Sequence, residues 1–205
     1  KDSLDIEVFA YGQSGYGTFQ QYLVFKDFFQ KINPDLVIWQ VSANDFVDNY
    51  AALEYDSGYK VGVRRPYLNL ENKIVYERPV SLLKKLSEYS AFMHLIDQRW
   101  KNVSYNYLKK NQKIAEYWIK KKKKAYLPYS NSIKVTNLIF DKIDAIIPDD
   151  VWVIGFPAGW SEPQASDFKT IFETHGYQYE MQPCIDIFRA KEAGEVVTSI
   201  DGYHW

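Results

Sequence analysis

At 205 residues with 46% apolar side chains, the chain suits one globular domain, residues 1–205, with a sizeable core, and its length does not force a second domain. A net charge of −1 gives no reason to propose nucleic acid or an acidic membrane surface as a partner. No apolar run approaches the length of a membrane-spanning helix, and the single cysteine, Cys184, excludes an internal disulfide and any cysteine-based zinc site.

Ile6 to Tyr11 is short and rich in β-branched and aromatic residues, which predicts a strand. Gly12, Gly15 and Gly17 follow, a spacing that lets the backbone turn tightly and bring its N–H groups close to a ligand. Thr18 is placed to cap the next helix. From Phe19 to Ile32, the residues Tyr22, Phe25, Phe28, Phe29 and Ile32 repeat at three and four, which predicts a helix with one buried stripe ended by Asn33-Pro34. Leu36 to Val41 is apolar enough for a central strand covered on both faces. Strand, helix and parallel strand make a right-handed crossover unit. In an open parallel sheet ligands bind beyond the carboxyl ends of the strands, so the chemistry is expected at Gly12 to Gly17 and Ser42 to Asn49.

Between Tyr50 and Asp150 lies about twice the chain that one crossover helix needs, which predicts an insertion over roughly residues 51–128. Arg64 to Leu70 and Lys73 to Tyr76 flank Glu71-Asn72 as a small hairpin. Pro79 opens a helix with Leu82, Leu83, Leu86, Tyr89, Phe92, Met93 and Ile96 on one stripe, and His94 beside it reads as structural. Val103 to Ala125 reads as a mostly polar helix whose run Lys120 to Lys124 is a solvated end complementing the dipole. The insertion leaves the Ser42 to Asn49 turn directly and is expected to set the substrate, with Tyr50, Tyr55 and Arg64 as contacts. Seventeen tyrosines, each with an apolar face and a polar tip, suit a sugar or acyl pocket as well as a plain surface.

After Pro128, Ser130 to Ile147 reads as a helix against the sheet, and Val151 to Phe156 as a buried strand. Ser161-Glu162-Pro163-Gln164 has the form of a capping box, and the helix it opens ends at His175-Gly176. Tyr177 to Met181 is a last strand, and Ile185 to Ser199 leads to Asp201-Gly202-Tyr203-His204. An acid and a histidine three apart on one loop can hydrogen-bond while facing one pocket, the acid holding the imidazole in one tautomer.

GQSGYGT, then a strand, then SAND, then a terminal Asp-x-x-His resembles the second, third and fifth sequence blocks of the SGNH (GDSL-like) hydrolases, in that order and separation. Ser42 stands where the third block usually has glycine. The resemblance implies a three-layer α/β/α sandwich with a mostly parallel, flavodoxin-like sheet. It implies an oxyanion hole from Gly15 and Asn44, His204 as general base and Asp201 orienting it. The implied activity is serine-dependent hydrolysis of a small-molecule or carbohydrate ester, without metal or organic cofactor. An O-acyltransferase on the same site and a non-catalytic binding domain of the same fold are the alternatives. A metal site on Asp45 and Asp48 with Asp201 or His204 is set aside, because Asp45 already belongs to the family block and no histidine pair has ligand spacing.

The family's nucleophile lies in a Gly-Asp-Ser motif after the first strand. Asp2-Ser3 does not fill that place, because eleven residues separate Ser3 from Gly15 and a strand takes half of them. Ser14 and Ser42 lack a strand-to-helix elbow. The chain therefore reads as a fragment lacking the first strand, the serine and the first helix. A strand missing between Ile6 to Tyr11 and Leu36 to Val41 predicts a sheet split or abnormally paired at its centre. Compartment stays open, export being compatible with a leader upstream.

Overall fold

The computed structural model describes residues 5–13, 15–57, 65–76, 86, 89–97, 99–100, 103, 118–158 and 162–194. Helix α1 (Thr18–Ile32) leads through Asn33-Pro34 to strand β1 (Leu36–Val41). Two short helices follow, α2 (Asp45–Asn49) and α3 (Ala51–Ser57), and then the hairpin strands β2 (Tyr67–Leu68) and β3 (Ile74–Val75). The chain continues with α4 (Leu127–Asp144), β4 (Trp152–Pro157), α5 (Gln164–Thr174), β5 (Gln178–Tyr179) and α6 (Gln182–Glu192). Strands β1, β4 and β5 form a parallel sheet in that order, with Leu36 opposite Trp152, Val41 opposite Pro157 and Gly155 opposite Tyr179. Helices lie on both sides of it, α6 being in contact with β4.

The alternation along the strands explains which face carries the core. Trp39 and Val41 on β1 and Val153, Gly155 and Pro157 on β4 are buried, while Leu36, Ile38 and Trp152 point the other way and are exposed. Trp39 packs edge-on against Phe25 of α1 at 5.3 Å and near Phe140 of α4 at 6.2 Å. Phe140 meets Phe172 of α5 at 4.7 Å, so α1, α4 and α5 share one cluster over that face. Fully burying one such side chain contributes roughly 1.5–3 kcal/mol.

Local rules account for the elements. The Gly17 N–H donates to the Gln20 side chain at 2.9 Å, so Gly17 caps α1 and Thr18 is its first helical residue. Asn33 ends that helix in the left-handed region at φ 47°, its N–H on the Phe29 carbonyl at 2.8 Å. In the hairpin, the Asn69 side chain accepts from the Glu71 and Lys73 N–H groups and Asn72 takes φ 60°, which closes the turn. Pro128 sits in the first turn of α4, where its missing N–H costs nothing, so that helix starts and ends three residues earlier than its apolar pattern predicts. Pro163 precedes α5 as its cap, and Gly176 at φ 75° follows its end. Among the described residues, no helix is long and apolar enough to cross a membrane.

Several expectations are corrected. Ile6 to Tyr11 forms no strand: Ile6 is 71% and Val8 79% exposed, and Tyr11 instead stacks on Phe28 of α1 at 4.5 Å. A strand needs a ladder partner, and this segment has none among the described residues. Leu36–Val41 is the edge strand of its sheet with one face open, not a central strand covered on both faces. Its outer edge has no strand partner among the described residues, on the side where the crossover rule would put Ile6 to Tyr11. The last strand shrinks to Gln178–Tyr179. Of the stripe from Leu82 to Ile96, the described members Leu86, Tyr89, Phe92 and Ile96 are exposed. Leu82, Leu83, Ser161 and most of the polar helix from Val103 lie outside the described residues.

Candidate functional site

The two turns singled out by spacing meet beyond the carboxyl end of β1. Gly15 has φ 84°, which a side chain would resist, and it lies within the turn closed by the Tyr16 N–H on the Gln13 carbonyl. A Cβ on Gly17 would stand 2.7 Å from that of Asp48 and 2.9 Å from Oδ1 of Asn49, so only glycine lets this loop press on α2. Asn49 fastens the contact from its other side, accepting from the Phe19 N–H at 3.2 Å and donating to Thr136 of α4 at 3.0 Å. Ser132, one turn earlier on α4, donates to the Phe46 carbonyl. The helix thus holds α2 by two hydroxyls and the glycine loop by way of Asn49.

Gly15 and Asn44 are tied to one buried cation. Arg65, 7% exposed, donates from Nη1 to the Gly15 carbonyl at 2.7 Å and from Nη2 to Oδ1 of Asp48 at 2.8 Å. The other oxygen of Asp48 accepts from Nδ2 of Asn44 at 2.9 Å. Arg65 also reaches Glu54 at 2.7 Å, and the Tyr67 hydroxyl donates to the same Glu54 oxygen. Gln20 of α1 donates to the Pro66 carbonyl at 2.6 Å and pins the segment that carries Arg65. An asparagine amide carries two N–H donors, and the bond to Asp48 fixes the plane of both.

The electrostatics follow from one cation shared between two buried carboxylates. Burial would weaken the Arg65 charge, but Asp48 and Glu54 more than offset this and hold it above its ordinary value. The second acid is in excess. Burial raises the Glu54 carboxyl above the ordinary range, against the pull of Arg65. Burial, with the hydrogen bond to Glu54, pushes the Tyr67 phenol up to about 12, so it remains a donor at neutral pH.

The sequence pointed to Gly15, Asn44 and the Ser42 to Asn49 turn, and the structure brings these together. It missed Arg65, Asp48, Glu54 and Tyr67, which do the joining. Tyr50 caps the end of α2 and packs half-buried against the core. Tyr55 lies in α3, its side chain outside the described residues, as is Arg64. Asp201 and His204 also lie outside them. Ser42 donates its N–H to Asp45 at 3.1 Å, an internal brace of the turn. Both oxygens of Asp48 are engaged by Arg65 and Asn44, which speaks against a metal there. The described histidines are elsewhere: His94 is exposed on the helical residues 91–97, and His175 caps α5.

What the described residues show at this rim is two loops joined through Arg65 and Asp48. No protein-family model matches the chain, and neither the curated proteins nor the solved structures include a match.

Proposed function

We propose that the chain is the larger part of a serine ester hydrolase of the SGNH type. Gly15 and Asn44 hold the oxyanion, Asp201 orients His204, and His204 takes the proton from a serine contributed upstream. The observation that carries this reading is the hydrogen-bonded path from Gly15 through Arg65 and Asp48 to Asn44. It ties the loop before α1 to the turn after β1, and transition-state stabilisation by preorganised donors requires such fixing. Two features of the sheet support the finer architecture, a three-layer α/β/α sandwich of flavodoxin-like order. The outer edge of β1 has no strand partner among the described residues, and the apolar face at Leu36, Ile38 and Trp152 suits a further helical layer. The substrate is an ester of a small alcohol or a carbohydrate, set by the segment after Tyr50, and the chemistry needs no cofactor.

The test is hydrolysis of p-nitrophenyl acetate by this chain and by the chain extended upstream through its own coding sequence, with and without a polysaccharide acceptor. The extended protein should turn over ester, lose activity with His204→Ala, and lose about 10²- to 10³-fold with Asn44→Ala. Acyl transfer to the acceptor in preference to water would make it a transferase on the same site. An upstream sequence without a serine after an apolar strand, or turnover that survives His204→Ala, would overturn the reading.

A further inference from the structure

The opposite rim of the sheet carries a second constellation, independent of the loops just described. Helix α4 ends at Asp144 and α5 ends with His175 as its cap, so two helix C-termini converge where β4 and β5 begin. Each brings a partial negative charge from its last carbonyls. Asp141 and Asp144, three apart on α4, project from one side of that helix. One donor atom each from Asp141, Asp144 and His175 lies within 4.8 Å of the others. Two carboxylates and two dipole ends thus surround a single imidazole, an excess of negative potential that a divalent cation would balance.

We propose that Asp141, Asp144 and His175 form a binding site for a divalent transition-metal ion, with zinc as the representative fit. One imidazole nitrogen and two carboxylate oxygens are a donor set that zinc accepts, and a tetrahedron with ~2.1 Å bonds has edges of ~3.4 Å, so the His175–Asp144 pair, 2.6 Å apart, opens to admit the ion while Asp141 adjusts from within 4.8 Å. The site is already braced. The His175 side chain is 7% exposed, its ring set beside Phe140 and Tyr177. The Tyr177 hydroxyl donates to Oδ1 of Asp144 at 2.5 Å, which turns Oδ2 toward Nδ1 of His175 at 2.6 Å. Such an outer partner orients a ligating carboxylate and limits its movement. The cation takes the place of the proton between Nδ1 and Oδ2, and His175 binds it as the neutral imidazole. The Asp141 carboxylate, exposed and without a hydrogen bond or ion pair among the described residues, swings in as the third ligand. A cavity of about 730 Å³ lined by Asp144, His175 and Tyr177 gives access, and leaves space for water as the fourth ligand.

The test is calorimetric titration of zinc chloride into the chelator-stripped chain, with calcium and magnesium chlorides as controls and thermal melts of each sample. The parent should bind one zinc ion saturably at this site and melt higher with it, while calcium and magnesium at equal concentration leave the melt unchanged. Asp141→Asn, at an exposed position, should fold and melt as the parent does without metal yet bind zinc at least about tenfold more weakly. His175→Gln should lose the site altogether, with far-UV circular dichroism confirming its fold. Absence of saturable zinc binding, or affinity unchanged in both Asp141→Asn and His175→Gln, would overturn the proposal. So would equal response to calcium.

Discussion

Arg65 is the residue on which the carboxyl rim depends. Removing one partner of a buried ion pair leaves an uncompensated charge in low dielectric, which costs about 3–5 kcal/mol. Arg65→Met removes the cation that Asp48 and Glu54 share, and its urea midpoint should fall accordingly, well below that of Arg65→Lys. Equal midpoints for Arg65→Met and the parent would mean that the network adds nothing to stability. Glu54 gives a separate readout. Its carboxyl is raised by burial, so the folded chain keeps a proton that the unfolded chain has released. The stability this contributes is complete below the unfolded value and lost as pH rises through the folded one. Glu54→Gln has no such proton, so the decline of its urea midpoint as pH rises above the ordinary glutamate range should be shallower than the parent's. Parallel slopes would refute the excess-acid account. Neither role was legible in the sequence. Arg64 and Arg65 are adjacent and chemically identical, so the sequence could not single out Arg65, whose segment the Gln20 bond to Pro66 pins. Gly15 and Asn44 were legible because each stands in a short polar turn soon after an apolar run.

Among elements, helices with a local apolar repeat and the two longer strands were read correctly, whereas a strand's place in the sheet, set by a distant partner, was not. The three- and four-residue repeat of Tyr22, Phe25 and Phe29 specifies a helix by itself. Ile6 to Tyr11 has an equally good strand composition, but a strand exists only with a neighbour to accept its hydrogen bonds. For the same reason the run Leu36 to Val41 was legible as a strand but not as an edge. The one-sided covering of β1 can be measured. Trp39, between Phe25 and Phe140, should cost about 3–5 kcal/mol on change to Ala, whereas Ile38→Thr on the open face should stay within about 0.5 kcal/mol. Comparable losses in chemical denaturation would mean that the second face is covered after all. On β4 the approach of α5 depends on Gly155, where an added Cβ would fall 2.2 to 2.6 Å from the Phe172 ring. The ring is fully buried and cannot retreat, so Gly155→Ala should cost about 1–3 kcal/mol. Phe172→Leu in the same chain should recover part of that, and a double-mutant cycle with no coupling would show the contact to be unimportant.

At the scale of the whole molecule, one face of the sheet leaves apolar side chains exposed. Leu36, Ile38 at 63% and Trp152 at 69% exposure share the open face of the sheet, beside an edge whose N–H and C=O groups have no strand partner among the described residues. Exposed sheet edges with apolar faces pair with other chains, and a net charge of −1 supplies little repulsion to prevent it. The chain as given should therefore self-associate through this face. Sedimentation velocity should show an average mass that rises with concentration, and the folded protein should enhance the fluorescence of an apolar dye. Lysines introduced together as Ile38→Lys and Trp152→Lys place two like charges at neighbouring exposed positions without entering the core. That variant should sediment as a monomer with unchanged helical circular dichroism and weaker dye binding. A parent chain that stays monomeric at every concentration and binds no dye would mean that residues outside those described already cover the face and its edge.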